Sequence, residues 1–415
     1  MKFYLSLLTL IAVQSFGQSD TTQQIISGRQ NSAEQQKKPY VILISADGFR
    51  NDYAVKHNAT FLQKMGEEGV SANYMLPSYP SLTFPNHYTL VTGLYPSHHG
   101  LVGNHFYDPA LQTNYSMSNS TKVRSGEWYG GTPLWVLAEQ QQMLSASFYW
   151  VGSEAPIQGI IPTYYYKYNE AIDLEKRIQV VIDWLKLPEE RRPHFIGFYF
   201  PEVDHAGHSY GPDSNKTGEA VRWIDTAMHK LTEAVKATNL DVNYIFVSDH
   251  GMTKVDTENW IITPRFDTAE VVVATGGEIV QLYVKDKSQI GALYQSIKDT
   301  AKGFNVYQKK EMPAKLHYGQ NDDWNNRIGD IILIPEWPLT FSSGRKPKPG
   351  AHGYDPYKVP DMRAVFYAWG PAFKSNKKIK KLNNVDVFPI VTSILGLNHV
   401  GNIDGSNKVA KKILK

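Results

Sequence analysis

The sequence of 415 residues contains no cysteine, which excludes disulfide bonds, thiol catalysis and zinc or iron held by cysteine. Any metal ion must therefore be bound by histidine, aspartate, glutamate or hydroxyl groups. A strong charge imbalance is also missing, because the formal net charge is only +3. Total charge thus gives no case for a nucleic-acid or anionic-membrane partner.

Long hydrophobic runs are missing as well, except at the start of the chain. Lys2 followed by an apolar run over 3–16 and small residues around a cleavage site is typical of a secretory signal. We therefore predict that residues 1–17 form a cleaved signal peptide, that the mature protein is secreted or periplasmic, and that it has no membrane span. The polar residues 18–38 are predicted to be a flexible lead-in.

What the chain does contain is typical of a globular protein, with 42% hydrophobic and 20% charged residues. Continuous apolar runs with β-branched residues are typical of strands buried on both faces of a parallel sheet, and they lie at 40–45, 194–200, 243–248 and 364–368. Helical patterns separate them. This alternation predicts an α/β fold with a mostly parallel central sheet flanked by helices.

The pattern changes over residues 255–345, which hold shorter strand-like pieces and one helical pattern. We predict a smaller inserted cap there, and a catalytic domain formed by 39–254 and 346–415. No feature of the sequence indicates an oligomeric state.

Three of the buried runs lead into an aspartate, namely Asp47, Asp204 and Asp249. Ligands of open α/β sheets bind at the carboxyl ends of the strands. Carboxylates gathered there would repel one another and lose hydration, unless a cation neutralises them. The three aspartates therefore indicate a divalent metal site.

Three histidines agree with this interpretation. His208 lies four residues after Asp204, so the two can share one face of a helical turn. His250 follows Asp249 directly, and His352 lies in a glycine-rich loop. Each residue alone has an ordinary explanation as a turn, cap or surface residue. Together they predict a metal centre of aspartate and histidine, a ligand set that suits zinc or manganese better than calcium.

Thr83 is the candidate nucleophile. It precedes a helical pattern over 88–92, and Pro85 fits an early helical position. A helix N-terminus attracts a phosphate group, and a hydroxyl near a metal can attack phosphorus. From this segment alone, the alternative that Thr83 is only an N-cap stays open.

At this point the chain resembles the nucleotide pyrophosphatase/phosphodiesterase family of the alkaline phosphatase superfamily. Six motifs carry the resemblance, occur in the family's order and extend over about residues 40–400, namely Ser45-Ala-Asp47-Gly-Phe-Arg50, Thr83-Phe-Pro-Asn-His-Tyr-Thr-Leu-Val-Thr-Gly-Leu-Tyr-Pro96, Gly103-Asn-His-Phe-Tyr-Asp108, Asp204-His-Ala-Gly-His208-Ser-Tyr-Gly-Pro212, Ser248-Asp-His-Gly251 and Gly350-Ala-His-Gly-Tyr354. It implies an alkaline-phosphatase-like fold and a chain that looks like a minimal bacterial-type member, without the extra domains of large animal relatives.

The resemblance also implies roles for individual residues. Two zinc ions would be bound, one by Asp204, His208 and His352, the other by Asp47, Asp249, His250 and the nucleophile Thr83. In the substrate site, Asn104 would contact a phosphoryl oxygen, Phe84 and Tyr199 would form an aromatic slot, and Lys122 and Trp128 would lie in the nucleotide pocket. One departure is Leu82, where relatives often have lysine.

The implied activity is hydrolysis of nucleotide phosphodiester or phosphoanhydride bonds, with release of nucleoside monophosphates through a covalent threonine intermediate. Two alternatives from the same superfamily stay open. A choline-phosphate or lipid-type phosphodiesterase needs an aromatic cage for its cation. A phosphomonoesterase needs extra positive charge, and residues 76–91 contain no lysine or arginine. A non-enzymatic binding protein is disfavoured, because the nucleophile and all six metal ligands are present.

Overall fold

The structure is a computed structural model that describes residues 21–399 and 401–415. The predicted signal peptide, residues 1–17, lies outside the described residues. In chain order the strands are β1 (Gln24–Ile25), β2 (Tyr40–Ala46), β3 (Val70–Ala72), β4 (Met75–Leu76), β5 (His105–Asp108), β6 (Thr113–Ser116), β7 (Ser145–Phe148), β8 (Tyr164–Tyr166), β9 (Phe195–Phe200), β10 (Val242–Val247), β11 (Thr253–Lys254), β12 (Ile261–Ile262), β13 (Val271–Thr275), β14 (Val280–Val284), β15 (Phe304–Gln308), β16 (Ile331–Pro335), β17 (Phe341–Ser342), β18 (Gly350–Ala351), β19 (Phe366–Trp369), β20 (Lys377–Ile379) and β21 (Leu382–Asn383).

The helices, in the same order, are α1 (Tyr53–Lys56), α2 (Thr60–Glu68), α3 (Thr83–Thr92), α4 (Pro96–His99), α5 (Ser120–Val123), α6 (Leu134–Gln140), α7 (Leu174–Leu185), α8 (Glu202–Tyr210), α9 (Asn215–Lys236), α10 (Ile290–Thr300), α11 (Val387–Leu395) and α12 (Asn407–Ile413). Two of the longest begin at side-chain caps, because Asp173 accepts a hydrogen bond from an amide of α7 and Ser214 from one of α9. Among the described residues, no helix combines the length and apolar character needed to cross a bilayer.

A nine-stranded sheet in the order β1-β8-β7-β9-β2-β10-β19-β3-β20 forms the centre of the protein. Its middle strands, from β8 through β10, are parallel. β19 is antiparallel to β10 and to β3. The predicted α/β fold with a mostly parallel central sheet is therefore confirmed.

Strand β2 explains why its run of apolar residues is continuous. Successive side chains of a strand point to opposite faces of the sheet. Val41 and Leu43 lie in one hydrophobic core with residues of α3, α6 and α11, whereas Ile42 and Ile44 lie in another with residues of α7 and α9. Both faces of β2 are thus covered by helices, and all of its residues are buried.

A second, antiparallel sheet in the order β13-β14-β16-β15 lies within the segment predicted to be a cap. It has a hydrophobic core of its own, to which helix α10 contributes Tyr294 and Ile297. The domain boundaries at 254–255 and 345–346 remain predictions.

The described part of the predicted flexible lead-in, residues 21–38, is packed against the main body. Strand β1 pairs with β8 at the edge of the central sheet. The buried Asn31 donates hydrogen bonds to the carbonyls of Glu189 and Arg192, at 2.8 and 2.7 Å, and accepts one from the amide of Leu144 at 2.7 Å. A polar composition does not reveal such side-chain bonds to distant backbone groups, which is why the sequence predicted a free segment.

Arg327 joins the second half of the chain to loops beside the central sheet. Its guanidinium donates to Asp108 Oδ2 at 2.7 Å and to the carbonyl oxygens of Gly100, Glu127 and Trp128 at 3.2, 3.1 and 2.7 Å. Arginine and aspartate are both buried. Because a buried ion needs its partner, this contact anchors the segment that carries the second sheet.

We expect Arg327→Met to lower the free energy of unfolding by about 3–5 kcal/mol, since it leaves Asp108 buried without a cation. The matched control is Lys287→Met, which removes a pair with Asp330 at 2.7 Å whose lysine is exposed. That change should cost less than about 1 kcal/mol. Urea denaturation measures both variants, and equal losses would contradict the anchoring role.

Candidate active site

Three aspartates meet at the carboxyl ends of adjacent parallel strands. Asp47 follows β2, Asp249 follows β10 after one residue, and Asp204 lies in the first turn of α8, just beyond β9. β2 pairs with both β9 and β10, so the three chain segments leave the sheet side by side. All three carboxylates are buried. The convergence predicted from the sequence is therefore present, with Asp204 on a helix rather than at the strand end itself.

Each of these aspartates has one oxygen that lacks a hydrogen-bond donor within the described chain, namely Asp47 Oδ1, Asp204 Oδ1 and Asp249 Oδ2. The other oxygen of Asp47 accepts from the Tyr199 hydroxyl at 2.7 Å. An unpartnered carboxylate oxygen in a protein interior is costly. The three free oxygens therefore fit a cation as their missing partner.

The three predicted histidine ligands are oriented alike. In His208, His250 and His352, Nδ1 lies 2.7, 2.8 and 3.0 Å from a backbone carbonyl oxygen. A carbonyl can only accept, so each Nδ1 carries a proton, and Nε2 is the ring nitrogen left to bind a metal. This is the arrangement in which a second hydrogen bond prepares an imidazole to bind a metal.

One group of possible ligands consists of Asp204, His208 and His352. The two Nε2 atoms are 3.0 Å apart, and each is 3.5 Å from Asp204 Oδ1. Two lone pairs and an unpartnered carboxylate oxygen thus face the same point, which suits a divalent cation.

The second group surrounds His250. Its Nε2 lies 2.8 Å from Asp249 Oδ2, 3.4 Å from Asp47 Oδ1 and 3.2 Å from Thr83 Oγ1. Possible ligand sets overlap here, since Asp47 also groups with Asp204 and His250, and with Asp249 and His87. The division of six ligands between two ions stays a prediction.

Like charges crowd this site. Burial, together with repulsion from Asp249 and Asp204, raises the pKa of Asp47 well above its usual range. Burial, together with the neighbouring imidazoles of His250 and His208, lowers the pKa of His352 well below its usual range. Both shifts express the cost of charge in a buried cluster. A bound divalent cation removes that cost for the carboxylates and uses the neutral imidazole as a ligand.

Thr83 is the first residue of α3, and the N-cap is Leu82, which makes no side-chain capping bond. The alternative that Thr83 is only an N-cap is therefore wrong. Its hydroxyl instead points to His250, and its side chain is buried at the N-terminal end of the helix. The hydroxyl and the amide of Thr83 are thus available to one ligand, whereas the amide of Phe84 donates to Asn104 and Pro85 has no N–H.

Asn104 is held beside this helix end. Its Oδ1 accepts a hydrogen bond from the amide of Phe84 at 3.0 Å, which leaves its NH₂ group as a donor. The half-buried ring of Phe84 lies 6.3 Å from that of Tyr115. The structure thus brings Asn104 and Phe84 next to Thr83.

Other predicted substrate residues are placed differently. Tyr199 is only 8% exposed, and its hydroxyl orients Asp47, so its role in an aromatic slot remains untested. Trp128 is fully buried, with the Arg327 guanidinium 5.2 Å from the centre of its ring, and its role in the nucleotide pocket remains a prediction. Lys122 Nζ lies 5.1 Å from the centre of the Trp128 ring and donates to Thr113 at 3.3 Å.

Tyr168 was not among the predicted site residues. It ends the tyrosine-rich run 164–168, in which Tyr164 and Tyr166 are buried. Tyr168, however, lies beyond β8 and is 44% exposed, with its ring 6.2 Å from that of Tyr199. The end of the strand, which the sequence does not mark, separates it from its buried neighbours.

Comparisons with known proteins agree with this geometry. The chain is 34% identical to ectonucleotide pyrophosphatase/phosphodiesterase family member 1 of Rattus norvegicus over 378 residues, which are 87% of this chain and 41% of the rat protein. It is 33% identical to an uncharacterised pyrophosphatase/phosphodiesterase of Schizosaccharomyces pombe, over 95% of this chain and 84% of the yeast protein. It thus spans less than half the length of the rat relative.

Among solved structures, murine ectonucleotide pyrophosphatase/phosphodiesterase 5 superimposes with a TM-score of 0.83 at 28% identity, over 91% of this chain and 100% of that one. That structure is of an inactive threonine-to-alanine variant in complex with AMP. The profile of type I phosphodiesterases/nucleotide pyrophosphatases matches residues 41–355. The chain therefore belongs to the type I phosphodiesterase/nucleotide pyrophosphatase family.

Proposed function

We propose that this protein is a two-zinc phosphodiesterase/pyrophosphatase that hydrolyses nucleotide phosphodiester or phosphoanhydride bonds, releases nucleoside monophosphates, and works through a covalent intermediate on Thr83. One observation carries the proposal. The Thr83 hydroxyl, at the N-terminal end of α3, lies 3.2 Å from Nε2 of His250, whose Nδ1 contacts a backbone carbonyl, beside three buried carboxylates with unpartnered oxygens.

Zinc fits the donor set, because tetrahedral sites of histidine and carboxylate are typical of it. One ion would be held by Asp204, His208 and His352, the other by Asp47, Asp249, His250 and Thr83. When bound, the ions would neutralise the crowded carboxylates, make the threonine hydroxyl more acidic and offset charge on the reacting phosphate.

The residues of the chain would divide the remaining work. The Thr83 hydroxyl loses its proton to solvent, and its oxygen forms a bond to phosphorus in line with the departing oxygen, which leaves with its electron pair and takes up a proton. The NH₂ group of Asn104 and the amide of Thr83 donate hydrogen bonds to the phosphoryl oxygens. Water then displaces the threonine oxygen, which regains a proton, and the phosphate monoester is free.

A nucleoside would lie against aromatic rings near Thr83. The murine structure binds AMP, and this chain offers a half-buried Phe84 and an exposed Tyr168. Lys122 would reach the pocket from α5, which follows the hairpin that carries Tyr115, although its ammonium group is engaged with Trp128 and Thr113. An aromatic slot suits a nucleobase because stacking needs only a flat surface.

We also propose that the protein is exported. The rat relative is named an ectonucleotide enzyme, and residues 1–17 have the pattern of a signal peptide.

Replacing the nucleophile with alanine should abolish catalysis without disturbing the metal centre. We expect Thr83→Ala to lower kcat by at least about a thousandfold, with zinc content unchanged by elemental analysis. Thr83→Ser keeps a hydroxyl at the same position and should retain measurable turnover. An alanine variant with more than a tenth of the normal rate would contradict the assignment of Thr83 as the nucleophile.

Removing the metals should inactivate and destabilise the protein together, because a ligand that binds only the folded state contributes about 4 kcal/mol at a thousandfold excess over its Kd. We expect a chelator to lower the Tm and added zinc, but not calcium, to restore it. Asp204→Asn should lose zinc, whereas Asp256→Asn, at a residue whose carboxylate caps an exposed turn, should not. An unchanged Tm after metal removal would contradict the proposal.

The ratio of kcat/KM for a phosphodiester to that for a phosphomonoester distinguishes the possible substrate classes. We expect kcat/KM for p-nitrophenyl thymidine monophosphate to exceed that for p-nitrophenyl phosphate by at least about a hundredfold. A ratio below one would indicate a phosphomonoesterase. Turnover of p-nitrophenyl phosphorylcholine alone would indicate the lipid-type alternative.

A further inference from the structure

The small net charge of the chain conceals an uneven distribution. Residues 374–415 contain nine lysines, two aspartates, and no arginine or glutamate. Since the whole chain has a formal net charge of +3, the remaining residues carry more acidic than basic side chains. The C-terminal part is therefore strongly basic on an otherwise acidic protein.

These lysines come together in space. The backbone at Lys374 donates to the carbonyl of Ile413 at 2.9 Å, and the backbone at Lys415 donates to Ala372 at 3.0 Å. The segment that leads into edge strand β20 thus runs beside the end of α12. We name the result the lysine surface and define it by Lys374, Lys377, Lys378, Lys380, Lys381, Lys408, Lys411, Lys412 and Lys415.

Helix α12 presents its lysines on one side. Ala410 and Ile413 are buried in the core that also contains Val41. Lys408, Lys411 and Lys412 are exposed and follow the three- and four-residue spacing of a helix face, and the exposed Lys415 lies just beyond the end of the helix. The outward face of α12 is therefore made of ammonium groups.

Within the described residues, no member of the lysine surface forms an ion pair with a carboxylate, whereas lysines elsewhere, such as Lys56 and Lys309, do. The two aspartates of the segment are occupied. Asp386 accepts from backbone amides at 2.9 and 3.0 Å, and Asp404 binds His98 at 2.7 Å. The charge of the lysine surface is thus not compensated from within its own segment.

Protection of an exposed sheet edge explains part of this surface, because lysines on an edge strand oppose pairing with another strand. It applies to Lys377 and Lys378, which lie on β20. It does not apply to the lysines of α12, which is not part of a sheet. A binding role accounts for the lysines of β20 and for those of α12.

We propose that the lysine surface binds an anionic phospholipid bilayer and holds the enzyme at a membrane surface. Lysine clusters of this size are attracted to anionic headgroups with about 1 kcal/mol for each residue near the surface. Nucleic acid fits less well. Residues 374–415 contain no arginine for bidentate phosphate contacts, and their one phenylalanine, Phe388, is buried and cannot stack on bases.

The test is co-sedimentation of the full mature chain with vesicles of phosphatidylcholine, and with vesicles in which phosphatidylglycerol replaces a third of it. We expect binding only to the anionic vesicles, and release at about 1 M salt, where the Debye length is about 3 Å. The variant Lys378→Gln, Lys381→Gln, Lys408→Gln and Lys411→Gln should lower the partition coefficient by about a thousandfold.

The matched control replaces four exposed lysines outside the surface, Lys186→Gln, Lys236→Gln, Lys254→Gln and Lys302→Gln, and should change binding less than about threefold. Both variants should keep the kcat/KM of the unmodified enzyme on a soluble substrate. Because vesicle binding is measured without a substrate, this test does not depend on whether the proposed activity is correct. Equal losses in the two variants would overturn the proposal. Binding to a single-stranded oligonucleotide without binding to anionic vesicles would overturn it as well.

Discussion

The mutual repulsion of three buried carboxylates is the constraint on which the centre of this structure depends. Asp47, Asp204 and Asp249 lie where parallel strands end, each with an oxygen that has no hydrogen-bond partner in the described chain. Such a cluster is stable only if positive charge is supplied. Three imidazoles direct Nε2 to the same place and offer ligand atoms for a metal, so the site as a whole fits cations from solution.

The surrounding fold keeps these groups in position. Parallel pairing of β2 with both of its neighbours brings the carboxylates together. Backbone carbonyls determine the tautomer of His208, His250 and His352, and Tyr199 orients Asp47. The start of α3 then places a non-capping hydroxyl against the same cluster. Each contact uses backbone or buried side chains, so the geometry does not depend on a flexible surface group.

Charged groups are arranged differently at the active site and at the lysine surface. At the active site, acidic groups are buried and concentrated by the sheet. The lysine surface is different, because its ammonium groups are exposed and belong to an edge strand and the face of one helix. An enzyme for soluble anionic substrates gains little from a remote basic patch of exposed groups, since salt screens it beyond about 8–10 Å. Attraction to an extended anionic surface does not have this limit, because many headgroups contact the patch directly.

The amino-acid sequence by itself determined the fold class and the chemistry of the site. Continuous apolar runs identified the buried strands, and the types and spacing of Asp204, His208 and their partners predicted the metal ligands, because hydrophobic period and ligand chemistry are local properties. Only the tertiary structure decided that Leu82 rather than Thr83 caps α3, that Trp128 is buried, that Tyr168 is exposed and that residues 21–38 are packed. It also decided that lysines from two separate segments form one surface. Burial, cap geometry and the pairing of distant charges depend on contacts between residues far apart in the chain, and no local pattern encodes these contacts.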